Sequence, residues 1–295
     1  MSLRSIMNSN NAASLSTATA TETATNMAAN KPPQLFCFTF AGGTASFFEQ
    51  IEQDLAGTAE GTAELAGAVE VIKLEYAGHG ARHREPLYPD FAALADDMFT
   101  QLKERYNGGS YALFGYSMGT ITLVEVLRRI LSLADGDDAS SALPTPACVF
   151  LAAHEPHTKA ELLSFSPNEM DEWVKERTLK FGTVPDKLVN NQTFWRMYLP
   201  LYRHDYTLLA HYSFADLVLE ASISATIFYS ETDTPLKDMK LWERYFRGHV
   251  DYYCYEGQHF FIQQHHKEMA SVIRNKMIGV TTDGTETRKT TEATA

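Results

Sequence analysis

The sequence predicts an α/β fold: a mostly parallel central sheet flanked by helices, with a helical lid inserted late in the chain. Three observations carry this expectation. Short, nearly continuous apolar runs rich in β-branched and aromatic residues alternate with helical patterns. One of these runs ends in Gly-x-Ser-x-Gly and opens directly into a helix. The alternation is broken once, by a long stretch that reads as helix throughout. Continuous apolar strands suit a sheet buried on both faces, and strands separated by helices suit parallel connections.

In chain order, LFCFTF (35–40) precedes a helical pattern near 46–55, and VEVIKLEY (69–76) precedes one over 91–105. YALFGY (111–116) leads into 118–133, and ACVFLAA (147–153) is followed by the helical stretch of about 160–220. Within that stretch SPNEMDEWVKERTL has helix-start chemistry: Ser166 suits the N-cap, Pro167 the first helical position, and Glu169 completes a capping box. An insertion of this kind is expected to form a lid. ATIFYS (225–230), a helix over 237–246, VDYYCYE (250–256) and a helix over 260–277 complete the pattern. Residues 1–32 and 279–295 are rich in Thr, Ala and Ser and lack the large apolar side chains that offset ordering entropy. They are expected to be disordered, leaving one domain over 33–278.

The 295 residues are 44% hydrophobic and 21% charged, with a net charge of −12. That acidity argues against nucleic acid as a partner. No apolar run approaches the roughly 20 residues of a membrane helix, and no signal peptide is visible. A cytoplasmic protein without a membrane partner is therefore expected. Cys37, Cys148 and Cys254 each fall in a strand-like run and are expected to be buried, reduced thiols.

The sequence GYSMG, Gly115 to Gly119, puts Ser117 where a strand meets a helix. That context makes it a nucleophile elbow. The hydroxyl stands clear of the sheet only if the chain bends sharply, and side chains at the two glycines would collide with the flanking strand and helix. A serine hydroxyl is a weak nucleophile and needs a base. In α/β-hydrolases the chain order is Ser, then Asp or Glu, then His. His259, in YEGQHFFIQQ after the last strand, is the expected base, while His265 and His266 fall on the following helix and are expected to be solvated. Asp233 in ETDTPLKD is the expected orienting acid, with Glu231 a solvated turn charge and Asp238 a helix-start residue. The oxyanion needs N–H donors. Met118 supplies one, and the loop FAGGTASFF supplies the other, from Ala41 first and Gly42 second. His154 and His157 have no convincing further ligands, so no metal site is expected.

The segments FTFAGGTASFF, LEYAGHGARHREPLY, ALFGYSMGT, AAHEPH, LPLYRHDYTLLAHY and YEGQHFF span about 35–262. Together they resemble the type II, stand-alone thioesterases of polyketide and nonribosomal peptide synthesis. These are α/β-hydrolases related to the medium-chain acyl thioesterases of fatty acid synthesis. The resemblance implies hydrolysis of acyl thioesters on the phosphopantetheine arm of an acyl or peptidyl carrier protein, with no bound cofactor. It places the nucleophile on Ser117, the histidine on His259, the acid on Asp233 and the oxyanion donors on Ala41 and Met118. Two positions depart from the family pattern. His79 stands where an arginine is frequent, and Thr234 separates Asp233 from Pro235.

Arg82 and Arg84 follow GHG near the expected mouth and are candidates for the pantetheine phosphate or an acidic carrier. Tyr116, beside the nucleophile, is a further candidate contact. The large lid side chains Trp173, Phe181, Phe194, Trp195, Tyr198, Leu201, Tyr202, Tyr206 and Tyr212 are expected mostly to pack the lid, with some lining an acyl tunnel. The competing functions are a carboxyl-ester hydrolase or lipase and a non-catalytic acyl-binding relative. The complete Ser, Asp and His set argues against the latter.

Overall fold

A computed structural model describes residues 31–56, 68–134, 143–182, 184, 186–219 and 222–279. Apart from residues 31, 32 and 279, the two tails expected to be disordered lie outside the described residues. Six strands form one sheet: β1 (Gln34–Phe38), β2 (Glu70–Lys73), β3 (Tyr111–Tyr116), β4 (Cys148–Ala152), β5 (Ser224–Tyr229) and β6 (Val250–Cys254). Their order is β2-β1-β3-β4-β5-β6, and every neighbouring pair is parallel. In all but β3 the strand ends before the apolar run does, and Leu74, Ala153 and Tyr255, just past β2, β4 and β6, still donate to carbonyls of the neighbouring strands.

The helices are α1 (Glu49–Ala56), α2 (Phe91–Arg105), α3 (Met118–Ala134), α4 (Pro167–Lys180), α5 (Asp186–Val189), α6 (Gln192–His211), α7 (Leu236–Met239) and α8 (Ile262–Ile278). Strand side chains alternate between faces. Phe36, Phe38, Leu113, Leu151 and Ile227 pack with α2, α3 and the lid, whereas Leu35, Cys37, Phe114, Phe150 and Phe228 pack with α1 and α8. Strands β1, β3 and β4 are buried along their whole length. That two-sided burial is why their sequences read as unbroken apolar runs.

Three local expectations are corrected. The helix near 46–55 begins as a 3-10 turn, Ala45–Phe48, before α1. The helix over 237–246 is one α-turn followed by a 3-10 segment, Lys240–Tyr245. Three residues per turn put Trp242 and Tyr245 on one side, where both are buried. Cys37 and Cys148 are buried, and burial pushes the Cys148 thiol up to about 12, but Cys254 is exposed. It ends β6, which among the described residues is an edge strand with a neighbour on one side only.

The lid lies between β4 and β5. Its helix α4 starts as the sequence indicates: Ser166 N–H donates to the Glu169 carboxylate at 2.8 Å, and the Ser166 hydroxyl accepts from Glu169 N–H. Met170, Val174, Leu199 and Leu209 join the core formed with α2 and α3. The Tyr212 hydroxyl, at the end of α6, donates to the Glu125 carboxylate of α3 at 2.9 Å.

The packing around GYSMG explains its glycines. A Cβ on Gly119 would lie 1.9 Å from the Phe38 carbonyl oxygen, and one on Gly115 would lie 2.4 Å from the Gly119 carbonyl oxygen. Neither backbone group can move without breaking β1 or α3. Gly182 has φ +71° but open space around it. Gly119→Ala is therefore expected to cost more than about 3 kcal/mol in chemical denaturation, against about 1 kcal/mol for Gly182→Ala. Equal costs would contradict the close approach of strand and helix.

Candidate active site

Ser117 follows β3 directly and has φ +54°, in the left-handed region. For a residue with a Cβ this costs roughly 1–2 kcal/mol, and surrounding bonds hold it there. Ser117 N–H donates to the Ala152 carbonyl of β4 at 2.8 Å, and its own carbonyl accepts from Thr120 N–H at 2.9 Å. The Thr120 hydroxyl is 3.0 Å from both the Gly115 and Ala152 carbonyl oxygens.

His259 lies beyond β6, past a turn at Gly257 with φ +118°. Its Nδ1 is 2.9 Å from Asp233 Oδ2, and its Nε2 is 2.9 Å from Ser117 Oγ. With Nδ1–H donating to the carboxylate, Nε2 accepts from the serine hydroxyl. The ring is buried beneath Phe181, which follows α4 directly and stacks on it at 4.1 Å with 15° between planes. Tyr116 donates its hydroxyl to the His259 carbonyl at 2.7 Å and is fully buried. The expectation that Tyr116 contacts substrate is thereby corrected: it has no surface to offer and anchors the histidine loop.

Asp233 sits in a tight turn closed by the Ser230–Thr234 bridge. Thr234 N–H donates to the Ser230 carbonyl at 3.0 Å, so the residue that separates Asp233 from Pro235 is taken up by the turn. The hydroxyls of Ser230 and Thr232 both donate to the Gly257 carbonyl, at 2.5 and 2.6 Å. These two bonds tie the loop bearing the acid to the loop bearing the base. No motif marks Ser230 or Thr232, because the partner is a backbone carbonyl more than twenty residues away.

Met118 is the first residue of α3, so its N–H has no intrahelical acceptor. Among the described residues neither the Met118 nor the Ala41 N–H bonds outside the helix and sheet ladders. Gly42 differs. Its N–H donates to Asp205 Oδ2 at 2.6 Å, so it is not an oxyanion donor. The same oxygen accepts from His79 Nε2 at 3.0 Å, and His79 Nδ1 is 3.0 Å from the Ala77 carbonyl. Both ring nitrogens thus face acceptors, which suits an imidazolium. His79 and Asp205 are each 1% exposed, and they clamp the Ala41–Gly42 loop to lid helix α6. The sequence marks both residues, in GHG and in YRHDY, but not their pairing.

Arg82 is also corrected. Its guanidinium pairs with Asp97 of α2 and with Glu85, and it donates to the Glu75 carbonyl, so it is committed within its own loop. Arg84 is exposed. His265 and His266 are half-buried and partnered, by the Glu256 carbonyl and the Asp54 carboxylate. Among the described residues no cluster of three or more His, Cys, Asp or Glu could hold a metal.

Ser117 faces a throat of only about 10 Å³ between Phe40, Ala41, Phe181, Tyr202 and Tyr206. Past Phe40 and Tyr202 lies an outer groove of about 300 Å³, walled by Phe47, Phe194 and Tyr198. A cavity of about 180 Å³ also borders Ser117, sharing Tyr206 and His259 with the throat. The lid aromatics therefore divide: Phe181, Tyr202 and Tyr206 border the throat, Phe194 and Tyr198 border the groove, and Trp173 packs edge-on against Tyr206.

A parallel sheet carrying a serine at a strand–helix bend, with imidazole and carboxylate aligned behind it, places the molecule in the α/β-hydrolase class. The thioesterase domain family model matches residues 33–277, and the chain belongs to that family of thioester hydrolases. It is 28% identical over 236 residues to the medium-chain S-acyl fatty acid synthase thioesterase of Rattus norvegicus, covering 78% of this chain and 82% of that one. It is 27% identical to a probable cadicidin biosynthesis thioesterase of Streptomyces griseus, covering 79% of this chain and 59% of that protein. The solved structure of BorB, a type II thioesterase from the borrelidin biosynthetic cluster, superposes with a TM-score of 0.67 at 23% identity, covering 84% of this chain and 94% of BorB. No helix among the described residues is long and apolar enough to cross a membrane.

The His79–Asp205 clamp has a pH signature. Burial alone would lower the His79 pKa, but the hydrogen bond and charge of Asp205 outweigh it and leave the value above the ordinary 6.5. The folded state therefore holds this proton more tightly than the unfolded chain. Its stabilisation is complete below the ordinary value and is lost as pH rises through the raised one. Wild type is expected to exceed His79→Gln in Tm most at about pH 6, with the gap narrowing by about pH 9. A gap that widens with pH would contradict the ion pair.

Proposed function

We propose that the protein hydrolyses acyl thioesters held on the phosphopantetheine arm of acyl or peptidyl carrier domains. The setting is polyketide, nonribosomal peptide or fatty acid synthesis in the cytoplasm, as editing or chain release. The observation that carries this reading is the unbroken series Asp233–His259–Ser117, with both links at 2.9 Å. The names of the relatives, a fatty acid synthase thioesterase and a biosynthesis thioesterase, support the choice of substrate.

In the acylation step Ser117 attacks the thioester carbonyl carbon as His259 Nε2 takes its proton. The Met118 and Ala41 amides receive the oxyanion, helped by the positive N-terminal end of α3. The C–S bond breaks, and His259 returns the proton to the departing thiolate. In the second step His259 deprotonates a water, which attacks the acyl-serine ester and frees the acid and Ser117. Asp233 keeps Nδ1 protonated and stabilises the imidazolium. None of these steps needs a metal or a bound cofactor. The aromatic groove of about 300 Å³ suits the pantetheine arm, and exposed Arg84 suits its phosphate.

The test is release of an acyl group from a loaded carrier protein, beside the matching oxygen ester. Wild type is expected to favour the carrier thioester, and Ser117→Ala to lose turnover. Asp233→Asn is expected to lower kcat by about a hundred- to ten-thousand-fold with KM little changed. A preference for the oxygen ester would make the protein a carboxyl-ester hydrolase, and undiminished activity in Ser117→Ala would remove the serine mechanism.

A further inference from the structure

We infer that Asp205 is a positioning residue for the oxyanion hole: it holds the turn that carries the Ala41 donor, and so makes that donor depend on the seating of lid helix α6. The inference rests on the serine mechanism proposed above and adds a residue to it. Phe40 to Gly43 form a β-turn, closed by the Gly43 N–H donating to the Phe40 carbonyl at 2.9 Å. Gly42 has φ +74°, whereas Ala41 is outside the positive region. That combination is a type II turn. Its first peptide carries the Ala41 N–H, and none of the described peptide bonds is cis. In a trans peptide N–H and C=O point in opposite directions. With the Phe40 carbonyl turned inward to Gly43, the Ala41 N–H faces outward.

The central peptide, between Ala41 and Gly42, is the part of the turn that can rotate. Rotation converts type II to type I, and it reverses the sign of φ at Gly42, which glycine tolerates. The Ala41 carbonyl would then take the place of the Gly42 N–H. Here that N–H donates to Asp205 Oδ2 at 2.6 Å. A rotated peptide would set a carbonyl oxygen against a buried carboxylate, so Asp205 favours one turn conformation and opposes the other. The bond is charge-assisted, which makes it short and strong.

The carboxylate is itself held in place. His79 Nε2 lies 3.0 Å from the same oxygen, and the His79 ring meets Tyr76 edge-on at 5.6 Å. Tyr76 donates its hydroxyl to the Thr39 carbonyl at 2.9 Å, at the start of the oxyanion loop. Tyr202, three residues before Asp205 and on the same helix face, adds a second contact. A Cβ on Gly42 would lie 2.3 Å from its ring, so the ring rests against the Gly42 α-carbon. Helix α6 thus grips Gly42 at its amide and at its α-carbon. Asp205 is not among the residues that border the throat, so it acts through Gly42 and not on the substrate. An oxyanion donor works because it is fixed before the charge develops. Loosening the turn therefore weakens the transition state and leaves ground-state binding alone.

The test measures hydrolysis of an acyl-pantetheine thioester beside binding of an acyl trifluoromethyl ketone, whose adduct on Ser117 places an oxyanion between the two amides. Asp205→Ala is expected to lower kcat by about ten- to a hundredfold with KM within about twofold, less than the loss of a donor outright. The ketone should lose affinity by the same factor. Asp205→Asn, which keeps an oxygen acceptor, should recover most of both. Asp205→Ala leaves the buried His79 without its partner, so the double variant His79→Leu/Asp205→Val is measured as well. Replacing both members of a buried ion pair by apolar residues is often neutral to stability, and the same two losses are expected there. Unchanged kcat in a folded variant overturns the positioning role, as does a fall in kcat with ketone affinity intact. If wild type turns over the matching oxygen ester and not the thioester, the thioesterase reading alone fails, because kcat on the ester and ketone affinity still decide the role of Asp205.

Discussion

The left-handed bend at Ser117 is the constraint around which the rest of the site is arranged. An L-residue avoids that conformation, so the strand and helix on either side must hold it. They do so by approaching closely enough to exclude a Cβ at Gly115 and at Gly119. Strand β4 then contributes the Ala152 carbonyl, which fixes both the Ser117 amide and the Thr120 hydroxyl. The same bend that exposes the hydroxyl starts α3 at Met118, so one turn sets the nucleophile and an oxyanion donor together.

The base and acid are set by bonds between loops that are distant in sequence. Gly257, just before the histidine, accepts two hydroxyls from the acid turn, and Tyr116, just before the serine, holds the His259 carbonyl. The lid takes part as well. Phe181 covers the imidazole, and Asp205 binds the Gly42 amide with His79 beside it. That carboxylate removes Gly42 as an oxyanion donor and fixes the backbone at its neighbour Ala41. A lid in this protein is therefore part of the machinery it covers, and displacement of α4 or α6 would disturb both the base and the oxyanion loop.

The six strands, the elbow and the capping box of α4 were legible because each depends on local chemistry: apolar runs, glycines at a fixed spacing, and Ser166 three residues before Glu169. His259 and Asp233 were legible from chain order in a known fold class. The roles of Gly42, Tyr116 and Arg82 were not. Gly42 and Arg82 are each decided by a carboxylate from another element, Asp205 and Asp97, and Tyr116 by a carbonyl 143 residues away. Cys254 misled because an apolar run does not distinguish an edge strand from a central one.

The central claim is that Ser117 carries the acyl group between the two halves of the reaction. Rapid quenching of wild type with an acyl-pantetheine thioester, followed by mass analysis of the peptides, tests it most directly. An acyl adduct is expected on the peptide containing Ser117, formed with a burst of free thiol of about one equivalent per site and absent from Ser117→Ala. Steady turnover with Ser117 unmodified throughout, or an adduct that persists in Ser117→Ala, would contradict it.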